Sequence, residues 1–111
     1  MKFYRYEESL FVEDQVKVIE RLFVSIKETI HGFCIIREFN YRTGIPSRPR
    51  WISKTSRKRY AYPTKNEALM SFLARKRMQI CTLENQILRA STARVIASTM
   101  LKELEDVPQT I

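Results

Sequence analysis

A chain of 111 residues, 44% hydrophobic and 29% charged, is long enough for one globular domain with a modest core and too apolar to be disordered. The formal net charge of +8 is local: residues 37–65 hold nine cations against the single anion Glu38, and the flanking segments are close to neutral. That concentration points to an anionic partner, while two glycines, Gly32 and Gly44, exclude both a glycine-rich phosphate loop and a flexible interdomain linker.

Lys2 to Tyr6 is rich in aromatics and reads as a short strand. The acidic stretch from Glu7 to Asp14 reads as a connection. Residues 16–30 allow two readings. With period two, Val16, Val18, Leu22, Val24, Ile26 and Ile30 share a face that Glu20 interrupts, and Ile19 and Phe23 lie opposite. As a helix, Val16, Ile19, Phe23, Ile26 and Ile30 form a stripe. The many β-branched residues favour the strand. His31-Gly32 follows as a turn. The apolar run Phe33 to Ile36 then reads as a central strand buried on both faces, so residues 16–30 and 33–39 are expected to form an antiparallel hairpin.

Residues 40–50 read as a loop, punctuated by Gly44, Pro46 and Pro49, in which the prolines hold Ile45 and Arg48 extended. Trp51 to Ser53 and Arg59 to Tyr62 read as two short strands joined by Lys54 to Lys58. Trp51 and Ser53 would share a face of the first, Tyr60 and Tyr62 a face of the second. Thr64-Lys65-Asn66-Glu67 is a capping box. From Lys65 to Glu105 there is no Gly or Pro, and Leu69, Leu73, Ile80, Leu83, Ile87, Ala90, Ala97, Leu101 and Leu104 recur at helical spacings interrupted by Lys76 and Arg94. Such a helix extends ~60 Å, against a radius of gyration of ~13 Å for a domain of this size. Either it bends near Ser91-Thr92, or its free half packs on a second copy; a coiled-coil-like homodimer is the favoured expectation. Without a partner, Ile87, Val95, Ile96, Met100 and Leu101 would stand exposed. The expected fold is therefore α+β: an antiparallel sheet of about four or five strands over residues 1–63, then a long helix over 64–106, as a single domain.

Catalytic constellations are missing from the sequence. The single histidine, His31, sits beside a turn glycine, and the two aspartates, Asp14 and Asp106, lie near opposite ends. No carboxylate pair is placed for acid–base work. Cys34 and Cys81, with His31, fall short of a zinc ligand set; in their apolar contexts both are expected to be reduced and buried. No enzyme activity, metal or cofactor is expected. Neither a secretory-signal pattern nor an apolar run of ~20 residues is visible, so the expectation is a soluble, cytoplasmic protein without a membrane partner.

The basic segment carries the remaining signal. Cations attract phosphate, hydroxyls hydrogen-bond it, and flat rings stack on bases. The candidate ligand-binding residues are Arg50, Trp51, Lys54, Arg57, Lys58, Arg59, Tyr60 and Tyr62, with Arg75 and Lys76 three turns into the helix. Trp51 belongs either to the core or to a stacking platform. Lys76 falls on the apolar stripe and must snorkel or meet an anion. If the helix packs across the basic strands, the two clusters converge, and a dimer would join two such sites in one cleft.

Residues 51–55, 58–69, Ser71-Phe72 and Arg75-Lys76, with the opening Lys2 to Tyr6, resemble a group of small, uncharacterised bacteriophage proteins that combine a β-rich N-terminal half with a long C-terminal helix. The resemblance implies the strand reading for 16–30. It also implies a phage accessory protein acting in the cytoplasm of an infected host, in counter-defence or host takeover. The expected function is non-enzymatic binding of a phosphate-bearing ligand, a nucleotide signal or nucleic acid. The alternatives are an inhibitor that docks on an acidic host protein, and a structural phage component that oligomerises through its helix.

Overall fold

The computed structural model describes residues 1–10 and 15–106. Its elements are β1 (Lys2–Leu10), β2 (Val16–Glu28), β3 (Gly32–Arg37), α1 (Glu38–Thr43), β4 (Arg50–Ser53) and α2 (Lys65–Asp106). The four strands form one curled antiparallel sheet in the order β1-β2-β3-β4. The chain divides into two compact units, Met1–Ala74 and the residues from Arg75 onward.

In the first unit, strand pairing decides which apolar residues become core. Phe3 stands opposite Phe23, and Phe33 opposite Ile52. Phe3, Phe23, Ile35, Ile52 and Ala61 form the inner cluster, with Phe33 and Tyr60 packed against it. Full burial of such side chains contributes about 1.5–3 kcal/mol each. The majority apolar face of β2 is thus the outer one. Val16 and Val18 are exposed there, and the inner face holds Phe23, the larger side chain. A register shift between Ser25 and Lys27 is a bulge that takes Ile26 out of the alternation.

Several expected boundaries move. β1 runs through Glu7 to Leu10, because Glu7, Glu8 and Ser9 pair with Ile19, Val18 and Lys17; the remainder of the expected acidic connection, residues 11–14, lies outside the described residues. Residues 16–30 adopt the strand alternative as β2. β3 begins at Gly32, and the turn before it is closed by the Thr29 amide donating to the Gly32 carbonyl at 2.8 Å. β3 lies between β2 and β4, yet only Gly32 and Ile35 within it are buried, so the doubly buried strand is not seen. Residues 38–43, expected as strand end and loop, form α1. Gly44 closes it in the left-handed conformation (φ 72°), its amide donating to the Asn40 carbonyl. The expected fifth strand over Arg59 to Tyr62 is a single bridge between Tyr62 and the free edge of β1 at Tyr4.

The capping box starts α2 as expected, with one change. The Thr64 hydroxyl accepts from the Glu67 amide at 3.2 Å and itself donates to the Glu67 carboxylate at 3.0 Å. Ala68 and Phe72 from the first two turns meet Tyr6, with Tyr4 and Tyr62 alongside, in a second small cluster. Helical geometry continues without a break through Ser91-Thr92 to Asp106, so the bend offered as one way to compact the chain does not occur. Every residue from Arg77 to Asp106 is exposed.

Candidate functional site

Residues 53–62 link β4 to the helix, and their own polar groups hold them in shape. The Ser53 hydroxyl accepts from the amides of Thr55 (3.2 Å) and Ser56 (3.3 Å), and the Ser56 hydroxyl donates to the Lys58 carbonyl at 2.9 Å. Arg59 turns back across the loop: Nη2 donates to the Lys54 carbonyl at 2.6 Å and Nε to the Ser56 carbonyl at 3.0 Å. The Tyr62 hydroxyl accepts from the Arg59 amide and donates to the Arg57 carbonyl. The Lys54 amide ties the loop to the β2–β3 turn through the His31 carbonyl. His31 is accordingly an exposed turn residue that lends a backbone acceptor.

These contacts give most of the predicted site residues a structural role. Tyr60 is not an open platform. Its ring meets Phe23 edge-on at 5.5 Å, and the guanidinium carbons of Arg5 and Arg50 lie 4.1 and 4.0 Å from its centroid. Arg5 also donates to the Tyr60 carbonyl at 2.8 Å. Tyr60 joins the inner cluster and Tyr62 the outer one, so the two rings do not share a face. Lys54 pairs with Glu28 at 3.0 Å and sits over the Phe33 ring. Arg5 is not legible as a site residue in the sequence because 55 positions separate it from Tyr60; the Tyr4–Tyr62 bridge brings the two segments together.

What remains available is Trp51, Arg57 and Lys58; Arg50, opposite Ile35, is exposed but stacked on Tyr60. Trp51 stands opposite Cys34 and is 51% exposed, which overturns a core role. Pairing places it on the outer face, in one row with Cys34 and Lys27. Gly32 makes room for its ring, since a Cβ there would lie 2.8 Å from Trp51 Cζ2. Arg57 and Lys58 are exposed. Among the described residues their side chains have no hydrogen-bond or ion-pair partner.

A separate charged cluster lies beside β1. The Glu7 carboxylate accepts from Arg5 Nε at 2.9 Å and from Arg21 Nε at 2.6 Å. Burial alone would raise the Glu7 carboxyl, but these two hydrogen bonds outweigh it and hold the group below its ordinary value. The Tyr6 hydroxyl donates to Glu20 at 2.7 Å; that bond, then burial, pushes it up to about 12. Lys65 reaches the same Glu20 carboxylate at 3.6 Å.

Arg75 and Lys76 belong to the second unit, where Lys76 Nζ donates to Gln79 Oε1 at 2.9 Å. Both cysteines are free thiols, but the expected burial fails: Cys34 is half-buried and Cys81 exposed. Among the described residues no three His, Cys, Asp or Glu side chains gather closely enough to hold a metal ion, and no helix is long and apolar enough to cross a membrane. No protein family, curated protein or solved structure matches this chain.

Proposed function

We propose that this protein is a non-enzymatic binder of single-stranded nucleic acid, which its basic loop engages through phosphate. One observation carries the reading. Arg57 and Lys58 stand exposed and unpaired on a loop whose backbone is fixed by Arg59, Ser53 and Tyr62. Cations held on an ordered frame meet a phosphate with less ordering entropy to lose than cations on a mobile tail. Trp51, half-exposed on the adjacent strand, supplies a ring for a base. Two cations on one loop beside an exposed ring suit a polymer that offers several phosphates and bases over a mononucleotide. The resemblance of residues 50–77 to small phage proteins makes counter-defence in an infected bacterial cell the accompanying biological proposal.

Titration of labelled 12-nucleotide DNA and RNA, alongside cyclic and linear mononucleotides at 100 mM salt, tests this. Oligonucleotides bind and mononucleotides do not. Binding of neither class overturns the proposal, and tight binding of a mononucleotide redirects it to a nucleotide trap.

A second reading rests on the outer sheet face. Val16, Val18 and Trp51 are each half exposed or more on β2 and β4, a composition suited to an acidic, partly apolar protein surface. Capture from host lysate after nuclease treatment separates the two: a protein that stays bound favours inhibition of a host factor.

A further inference from the structure

The helix beyond Arg75 poses a problem of its own. Most helical stability in proteins comes from packing an apolar face, yet every residue from Arg77 to Asp106 is exposed. Within that stretch a seven-residue repeat runs through Ile80, Ile87, Arg94 and Leu101, with a second through Leu83, Ala90, Ala97 and Leu104. Ile80, Leu83, Ile87, Leu101 and Leu104 are 48–74% exposed. Those two repeats have the spacing of a two-stranded coiled-coil seam without its second strand; Leu88, Val95 and Ile96 stand exposed outside it.

We infer that this seam is covered by the same seam of a second copy running antiparallel, with the two-fold axis beside Thr92. The inference is independent of nucleic-acid binding. Side-chain size and charge along the seam select this arrangement. In an antiparallel pair centred there, Ile80 faces the partner's Leu104 and Leu83 the partner's Leu101. Ile87 faces the partner's Ala97, and Arg94 faces the partner's Ala90. Large residues meet small ones through the middle of the pair, so the layers interdigitate. The two Arg94 residues straddle the axis, offset by about 6 Å along the helix. Each lays its stem over an alanine and carries its guanidinium out to water.

The parallel alternative fails at the same three layers. It sets Ala90 against the partner's Ala90, Arg94 against the partner's Arg94 and Ala97 against the partner's Ala97. That is two voids flanking a pair of like charges in one layer. The flanking positions agree. Antiparallel pairing brings Arg77 beside the partner's Glu105 at both ends. In parallel register the corresponding pairs are Gln79 with the partner's Glu84, Gln86 with the partner's Ser91, Ala93 with the partner's Ser98 and Met100 with the partner's Glu105, with no opposite charges. Sliding the antiparallel pair by one heptad is also worse. One direction sets Arg94 against the partner's Leu83; the other takes Ile80 and Leu83 away from the partner's Leu104 and Leu101.

Cross-linking of the full chain tests the arrangement. In a Cys34→Ser/Cys81→Ser background, Ile80→Cys and Leu104→Cys proteins are prepared separately, mixed and oxidised. The expected product is the mixed 80–104 disulfide, with little 80–80 or 104–104. Homodisulfides instead of the mixed product overturn the antiparallel arrangement, as does a dimer that gives no cross-link. Sedimentation equilibrium of the unaltered chain must show a dimer; a strict monomer overturns self-association and leaves the seam to another protein. As a second readout, Arg77→Glu weakens the dimer about tenfold and added Glu105→Arg restores it, since two end pairs each swing between attraction and repulsion. Dimer affinity unmoved by either change would contradict the register.

Discussion

Replacing both free loop cations, Arg57→Ala/Lys58→Ala, separates ligand contact from loop architecture when set beside Arg59→Ala. If each cation neutralises one phosphate, log K falls with log salt by about 0.7 per contact on a single strand. Two lost contacts flatten the slope by about 1.4. Because the counterion contribution vanishes near 1 M salt, affinity at 100 mM falls about 25-fold and the two titration lines converge toward 1 M. Both side chains are exposed and unpaired, so stability moves by less than about 0.5 kcal/mol. Arg59→Ala behaves in the opposite way. It removes two charge-assisted bonds to the carbonyls of Lys54 and Ser56, which costs roughly 1–2 kcal/mol and lowers the melting temperature by on the order of 5–10 °C for a unit of this size. Fluorescence anisotropy with a labelled oligonucleotide from 50 to 300 mM salt, paired with thermal melting by circular dichroism, reads both quantities. An unchanged slope and affinity in the double variant would refute the assignment of these two residues. So would an Arg59→Ala protein that melts normally while losing binding.

Three other changes probe the frame. Gly32→Ala drives a Cβ into the Ile52 carbonyl oxygen and close to Trp51 Cζ2, so β4 must shift; a loss of about 1–3 kcal/mol and a change in Trp51 fluorescence are expected on melting and emission measurements. Glu7→Gln removes the negative charge shared by Arg5 and Arg21 and turns one of its two acceptor oxygens into a donor, so one of the two bonds is lost. Because the folded state holds the Glu7 carboxyl below its ordinary 4.5, its stabilisation is present above about pH 4.5 and fades as pH falls through the lowered value; urea titrations should show the variant about 1–2 kcal/mol weaker at neutral pH, with the gap closing in acid. Thr64→Ala takes the cap from α2 and costs about 1 kcal/mol, read by the same titration.

Local chemistry was legible in the sequence and long-range pairing was not. The start of α2 is written in four consecutive residues, Thr64 to Glu67, and the hydroxyl–amide half of that cap forms as expected. The antiparallel hairpin is favoured by the β-branched residues of β2 and the glycine turn, although periodicity alone leaves a helix open. The side of β2 that faces inward does not, because the number of apolar residues per face misleads: Val16 and Val18 are on the populous face yet exposed, while Phe23 is buried. Its partner Phe3, across 20 positions, decides the matter. The sequence carries the stop signal of α1, Gly44, but Pro46 and Pro49 just beyond it favour a loop over the whole stretch. For the site, residue types were informative and their roles were not. Nothing in the spacing of Lys54, Arg59, Tyr60 and Tyr62 says that they hold the loop together, since their partners are backbone carbonyls and rings supplied by the fold.

That division of labour bears on how the surface works. Basic segments that bind phosphate from a mobile tail lose side-chain and backbone entropy on binding, up to about 2 kcal/mol for each immobilised Arg or Lys side chain. Here Arg59 and Tyr62 have already fixed the backbone that carries Arg57 and Lys58, and only two side chains remain to be ordered. Arg50 is further restrained by its stack on Tyr60. The residues withdrawn from direct contact therefore contribute to affinity through the ones that remain, and the loop architecture and the binding surface are a single mechanical unit. Arg59→Ala removes a cation that is already turned onto the Lys54 and Ser56 carbonyls, so the loosened loop loses affinity with Arg57 and Lys58 still in place and with little loss of salt slope. Loss of Arg57 and Lys58 changes the slope itself, so the two mechanisms stay distinguishable in one titration.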